Sequence, residues 1–294
     1  MSGFSHVALI GLGEVGRIFA RDLAARGVGT ITAYDVAFAD PDSMQSQVGR
    51  AGPARACANA VEAVQDAELV ISAVTAAATL EAAKSTVGGL AHGPYYLDIN
   101  SASPELKRAA SEAVNDAGGR YVEAAVMTPV PPYGIASPML LGGVYAVSFL
   151  AAAEGLGLKA KPVSTEVGQA SATKMCRSVM VKGVEALVSE SMLTARRYGV
   201  EAAVLASLND LLPNPDWEKL ARYMISRTLE HGKRRAEEMR EAAVTVQDAG
   251  IEPLMSRAIA QRQDWAAVTA KSLPANWVDE DLFGLLDEVR KTLK

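Results

Sequence analysis

Residues 6–27, His6-Val-Ala-Leu-Ile-Gly11-Leu-Gly13-Glu-Val-Gly16-Arg-Ile-Phe-Ala-Arg-Asp-Leu-Ala-Ala-Arg-Gly27, constrain the fold more than any other stretch of the chain. Val7 to Ile10 is a short apolar run with the length and β-branching of a buried strand. Three glycines follow at G-x-G-x-x-G spacing. Val15, Ile18, Phe19 and Leu23 then recur at helical intervals until Gly27, which reads as a stop. A second strand, Ile31 to Tyr34, ends on Asp35, nineteen residues past Gly16. Gly11 permits a tight turn, Gly13 lets a pyrophosphate approach the backbone, and Gly16 lets the helix pack closely on the strand. The free N–H groups and dipole at the helix start, in the run Leu12, Gly13, Glu14, Val15, would hold that anion. Asp35 would accept hydrogen bonds from both hydroxyls of an adenosine ribose. Strand before, helix after and acid at this distance together specify a dinucleotide-binding unit.

At 294 residues the chain is long enough for two domains or one large one, and with 49% apolar residues it can bury a substantial core. The net charge of -5 argues against a nucleic-acid surface. Cys57 and Cys176 fit no zinc or redox spacing; they read as buried, reduced thiols, and no metal site is expected. No signal peptide precedes the first strand, and no apolar run reaches membrane-spanning length, so a cytoplasmic protein without a membrane partner is expected. The stretch from Asp35 to Met44 reads as loop and carries no Lys or Arg before Arg50. A 2′-phosphate needs a cation there, so NAD is expected as cofactor, with NADP the alternative if a cation arrives from elsewhere.

Strands and helices then alternate. Ala60 to Asp66 reads as a helix and Leu69 to Val74 as a strand, placing Val74 and Thr75 at a strand's carboxyl end, where cofactors of open α/β sheets lie. Tyr95 to Asp98 leads into Asn100 and Ser101, whose side chains would face the same crevice. Ser103 and Pro104 then fit an N-cap and first helical position, with the helix reaching 117. Tyr121 to Val126 is a strand, Met127 to Gly134 a proline-dense loop, Met139 to Gly143 a strand and Ala146 to Phe149 a helix start. This grammar predicts a doubly wound, mostly parallel α/β domain over residues 1–165. From Thr165 strand signal fades, and an all-helical domain is expected over 166–294. It opens with a helix from Thr165-Glu166 to Tyr198, about 45 Å at ~1.5 Å per residue, a length that usually runs between domains. Further helices are expected from Asp216, an N-cap after Pro213 and Pro215, to Leu229, and then at His231–Ala249, 253–263 and 279–293.

Lys174 and Ser178 share a face of the long helix, and Gly168, Ala170, Ser171 and Ala172 leave space beside its start. By spacing alone, Lys174 reads either as a solvated surface lysine or as a proton acceptor for a substrate hydroxyl. Ser171-Ala-Thr-Lys174 also matches S-x-x-K, but without the partner motifs of acyl-transferring enzymes.

Taken together, Gly11-Leu-Gly13-Glu-Val-Gly16, Asp98-Ile-Asn100-Ser101-Ala-Ser-Pro104, Met139-Leu-Leu-Gly142-Gly143 and Gly168-Gln-Ala-Ser-Ala-Thr-Lys174 resemble the β-hydroxyacid dehydrogenase family. That family includes 6-phosphogluconate, 3-hydroxyisobutyrate and tartronate-semialdehyde-type dehydrogenases. The resemblance implies a Rossmann domain with a helical partner domain, a homodimer, and lysine-assisted hydride transfer between NAD(P) and the CH–OH group of a small 3-hydroxy acid. Lys174 would be the general base, and Asn100 and Ser101 would bind substrate. Three positions depart from the family pattern. Its Ser-Gly-Gly anion loop reads Met127-Thr128-Pro129, so one backbone donor is lost to proline. Its asparagine one turn after the lysine is Ser178, and its later Lys-Asp pair aligns with Glu237-Glu238. His231, Arg234, Arg235 and Glu238 form one stripe, so Arg234 or Arg235 could supply a replacement carboxylate clamp, with His231 beside it. The alternatives are an imine reductase, against which Lys174 speaks, a decarboxylating dehydrogenase using Glu238 as second acid, and an NAD-sensing binding protein without turnover.

Overall fold

A computed structural model describes residues 3–211, 213 and 216–293, so Pro215 lies outside the described residues. The chain divides into two compact units, Met1–Lys174 and Met175–Lys294.

In the first unit the elements run β1 (His6–Ile10), α1 (Glu14–Ala25), β2 (Thr30–Tyr34), α2 (Met44–Ala51), β3 (Arg55–Ala56), α3 (Ala60–Val64), β4 (Leu69–Ser72), α4 (Thr79–Thr86), β5 (Tyr95–Asp98), α5 (Pro104–Asp116), β6 (Arg120–Val126), β7 (Met139–Gly142), α6 (Ala146–Ala152) and β8 (Ala160–Ser164). They build one sheet of order β3-β2-β1-β4-β5-β6-β7-β8, parallel except where β7 runs against β6. Val7 lies opposite Ile31 on one side and Leu69 on the other. The sheet is covered on both faces, which is why its central strands are near-continuous apolar runs. One face packs Leu9, Phe19, Leu23, Leu97 and Phe149, the other Ala8, Val70, Tyr96, Val114 and Tyr121. Burying Phe19 or Leu23 of α1 contributes about 1.5–3 kcal/mol each. Because strand order reverses beside β1, a crevice is expected where the carboxyl ends of β1 and β4 meet.

The doubly wound, mostly parallel sheet matches expectation, with local differences, the unanticipated β3 and α4 among them. Residues 36–44 are not simply loop: a short 3₁₀ turn occupies Val36–Ala39, and α2 follows, with Ser43 Oγ accepting from Ser46 N at 3.1 Å. β8 escapes the sequence reading because Pro162 interrupts it, and proline is accommodated on an edge strand such as this one. The long helix α7 is Gln169–Tyr198, starting after Gly168 (φ +107°) rather than at Thr165.

The second unit holds the rest of α7 with α8 (Glu201–Leu211), α9 (Trp217–Asp248), α10 (Leu254–Ala270) and α11 (Leu282–Lys291), the all-helical composition expected. α8 is an addition to that expectation. α9 is one helix of 32 residues where two were expected. Gly232 does not break it; a Cβ there would sit 2.5 Å from Gln263 O and 2.9 Å from Ala267 N of α10. This glycine serves close helix packing. Asp216 caps α9 as expected, accepting from Lys219 N at 2.8 Å. Val188, Met192, Ile225, Leu229, Leu285 and Leu286 form the larger part of the helical core. Cys57 is buried as expected, but Cys176 is exposed, because it falls on the outer face of α7. Among the described residues no helix is long and apolar enough to cross a membrane, and no cluster of His, Cys, Asp or Glu could hold a metal.

Candidate active site

The glycine turn between β1 and α1 is built as its spacing demands. Gly11 has φ +95°, donates to Tyr34 O at 2.8 Å, and has no room for a Cβ because Ala73 O lies against it. A Cβ on Gly16 would collide with Gly11 O, so the helix can sit this close only with glycine there. Gly13 differs: a Cβ would meet no described atom within 4 Å. Nothing inside the protein requires glycine at that N-cap, which fits a cradle kept open for a pyrophosphate. Leu12 is buried, Glu14 exposed and Val15 half-buried in the first turn of α1.

Asp35 stands at the end of β2, as a ribose acceptor should. Its carboxylate already has two backbone donors, Leu12 N to Oδ2 at 2.7 Å and Ala37 N to Oδ1 at 2.9 Å. The acid therefore also ties the glycine turn to the strand beside it. Cations do arrive near this loop: Arg17 reaches Met44 Sδ at 2.9 Å and Arg50 reaches Pro41 O at 2.8 Å.

Val74 and Thr75 follow β4, Val74 half-buried and Thr75 exposed. Asn100 was expected to present its side chain to the crevice. Instead it is buried, with Oδ1 accepting from Val74 N at 2.7 Å and Nδ2 donating to Ser72 Oγ at 3.0 Å. The amide thereby meets a backbone N–H and a side-chain hydroxyl at the end of β4. Its described bonds make it a tether between strand ends. Ser101 is half-buried one residue on, and Lys174 Nζ donates to its Oγ at 2.6 Å. The lysine ammonium and the serine hydroxyl expected to work together are thus in direct contact.

Met127, Thr128 and Pro129 follow β6. Met127 N donates to Pro138 O at 2.9 Å, and Thr128 Oγ1 is buried with no hydrogen-bond partner among the described residues. An orphaned buried hydroxyl is costly enough to suggest a ligand or water as its partner. The loop beyond is pinned to α1, since Ile135 N donates to Asp22 Oδ2 at 3.0 Å.

In the second unit α7 and α9 face each other through charges. Lys182 Nζ donates to Glu238 Oε2 at 2.5 Å and to Ser178 Oγ at 3.4 Å. Arg234 Nη1 donates to Glu238 Oε1 at 2.7 Å, and Arg235 pairs with Glu185. Burial pulls Lys182 below the usual lysine range, with the charge of Glu238 opposing. The two arginines expected as a clamp differ: Arg235 is buried beside Glu185, with its Nε and Nη2 making no hydrogen bond among the described residues, whereas the side chain of Arg234 is 56% exposed. His231 contacts Arg227, with 2.5 Å between Nε2 and Nη1.

Residues 6–129 match the family described as the NAD binding domain of 6-phosphogluconate dehydrogenase, and residues 195–266 match the domain of unknown function DUF1932. A conserved hypothetical protein from Sinorhizobium meliloti 1021 is 34% identical, with 98% of this chain and 97% of that one covered and a TM-score of 0.76. A conserved protein of unknown function, whose structure reveals similarity with 3-hydroxyacid dehydrogenases, is 30% identical, with 90% and 98% covered and a TM-score of 0.70. The mitochondrial 3-hydroxyisobutyrate dehydrogenase of Drosophila melanogaster is 25% identical over 211 residues, 70% of this chain and 63% of that enzyme. The chain belongs to the β-hydroxyacid dehydrogenase family. It is an enzyme of the NAD(P)-dependent dehydrogenase type.

This β-hydroxyacid dehydrogenase holds four buried residues with polar groups to which sequence reading gave no role, Asp98, Lys107, Tyr121 and Glu123. Asp98 Oδ1 accepts from Lys107 Nζ at 2.8 Å and Asn100 N at 2.9 Å, and Oδ2 from Tyr121 OH at 2.7 Å. Burial and the charge of Asp98 push the Tyr121 hydroxyl well above the usual tyrosine range, so it remains a donor. Glu123, fully buried in β6, meets two backbone N–H groups. A glutamate inside Tyr-Val-Glu-Ala-Ala-Val is a signal that was available, because an unpaired charge does not stay in a central strand.

Proposed function

We propose that the enzyme transfers a hydride reversibly between the CH–OH carbon of a small 3-hydroxy acid, or a related hydroxy carboxylate, and NAD. The observation that carries this reading is the 2.6 Å contact of Lys174 Nζ with Ser101 Oγ. Contacts link that pair to the glycine turn: Ala73 O abuts Gly11, and Val74 N is held by Asn100. NAD, when bound, would supply the hydride acceptor. Lys174, uncharged, takes the hydroxyl proton as the carbonyl forms and returns it in reduction. Ser101, within hydrogen-bond reach of Nζ, orients the same hydroxyl. Gly13 and the N–H groups at the start of α1 would hold the pyrophosphate, and Asp35 would accept from the ribose. NAD is preferred because the Asp35 carboxylate repels a 2′-phosphate; Arg17 and Arg50, which reach the loop after β2, are the cations that would serve NADP instead. Thr128, with its orphaned hydroxyl, is a donor offered to the substrate carboxylate. The fly relative's 3-hydroxyisobutyrate supports a short substrate.

We further propose a homodimer formed through the helical unit, where α7 exposes Met180 and Leu187 two turns apart; light scattering of the purified protein tests it.

The deciding experiment follows reduced nicotinamide with short, aromatic and sugar-derived hydroxy acids, using NAD and NADP separately. Lys174→Ala is expected to keep cofactor binding and lose about 10²–10⁴-fold in kcat. A variant with wild-type turnover would remove the proton acceptor from the scheme. A wild type that binds NAD and oxidises nothing in the panel would favour a sensor.

A further inference from the structure

Glu123 lies in the middle of β6, fully buried between Val122 and Ala124. Its Oε2 accepts from Gly168 N at 2.8 Å and its Oε1 from Ser171 N at 2.7 Å. These are two of the donors that the start of an α-helix leaves unsatisfied. Helices ordinarily cap themselves with Ser, Thr, Asp or Asn. The residue before α7 is Gly168, which has no side chain, and the work falls to a carboxylate from the sheet. β7 makes room for it: Gly142 is the cross-strand partner of Glu123, and a Cβ there would collide with Glu123 Oε2. The anion also lies at the positive end of the α7 dipole.

Lys174 follows Ser171 by one turn, and its Nζ rests on Ser101 Oγ. We propose that Glu123 is a positioning residue: by gripping the first turn of α7, it sets where Lys174 Nζ stands relative to Ser101. The inference rests on the reading of Lys174 as the proton acceptor. A catalytic group displaced by about 1 Å can lose on the order of 100-fold in rate. Losing the grip frees the whole first turn to shift by that amount.

The test uses two variants of the full chain. Glu123→Gln puts an NH₂ against one of the two backbone donors. Gly142→Ala keeps the charge but pushes the carboxylate off its seat, and it decides the matter should Glu123→Gln fail to fold. Both are expected to lose about 100-fold in kcat while NAD affinity, read by nucleotide titration, stays at the wild-type value. Amide hydrogen exchange over 168–174 should quicken, and an amine-acylating reagent should modify Lys174 faster, as mapped by mass spectrometry. Faster exchange with unchanged kcat and unchanged Lys174 labelling would reduce Glu123 to an ordinary cap and overturn the proposal. Unchanged exchange in both variants would overturn it too. If the wild type oxidises no hydroxy acid, the functional reading fails, and the exchange and labelling arms still decide the role of Glu123.

Discussion

The two units bury charge in opposite ways. In the sheet unit the buried carboxylates serve the backbone as much as their ionic partners. Asp98 holds Lys107 but also Asn100 N and Tyr121 OH, and Glu123 holds the N–H groups of Gly168 and Ser171. In the helical unit the ions serve one another across two helices: Lys182 and Arg234 share Glu238, and Arg235 takes Glu185. A carboxylate that satisfies backbone donors sits where a strand ends or a helix begins, so removing it misplaces chain. An ion pair between helix sides sets which faces meet, and apolar side chains of matching shape can do that as well.

The largest expected effects test this difference directly. Lys107→Met alone and Arg235→Met alone each strand a buried carboxylate, and each should cost about 3–5 kcal/mol of unfolding free energy in denaturant melts. Replacing the second partner separates the units. Glu185→Leu with Arg235→Met should recover most of the loss, because the stranded carboxylate is gone, while the attraction of Arg235 for Glu238 is lost with it. Asp98→Leu with Lys107→Met should not recover, since Asn100 N–H and Tyr121 OH lose their acceptor at about 1–3 kcal/mol each. Recovery of both double variants would dissolve the distinction.

A smaller effect follows from Lys182, whose folded pKa lies below its ordinary 10.5 through burial. A cation with a depressed folded pKa binds protons more readily when unfolded, so its charged form weakens the fold at neutral pH. That penalty shrinks as pH rises through the folded value toward 10.5. The stability of the wild type relative to Lys182→Met should therefore rise over that window. A flat or falling difference would mean that Glu238 overrides burial.

The same contrast explains what could be read from the residues in order. Gly11 and Gly16 act through backbone a few residues or one strand away, so spacing alone disclosed them; spacing also placed Asp35 at the end of β2, but its hold on Leu12 N of the glycine turn required the fold. Lys174 was legible as a candidate from helix periodicity and gained a role through resemblance; its contact with Ser101, 73 residues earlier, required the fold. Asn100 was placed at the correct strand end, but its side chain turned inward because Val74 N and Ser72 Oγ needed it. Glu123 and Gly142 explain each other only once β7 is known to run against β6. The break expected between Leu229 and His231 does not occur, and the reason for glycine at 232 lies on α10.

The smallest predicted effect supplies the control for all of these. Arg108 bonds Glu105 at 2.8 Å on the outer face of α5, and Arg240 pairs with Asp264 between α9 and α10; each of these four side chains is roughly half exposed or more. Water screens such pairs and the long side chains lose entropy in making them, so Arg108→Ala and Arg240→Ala should each cost no more than about 1 kcal/mol. Arg240→Ala spans the same kind of helix interface as Arg235→Met, with burial the main difference. Should its cost equal that of Arg235→Met, pairing rather than desolvation would set the scale, and the recovery expected for the Glu185–Arg235 double variant would lose its basis.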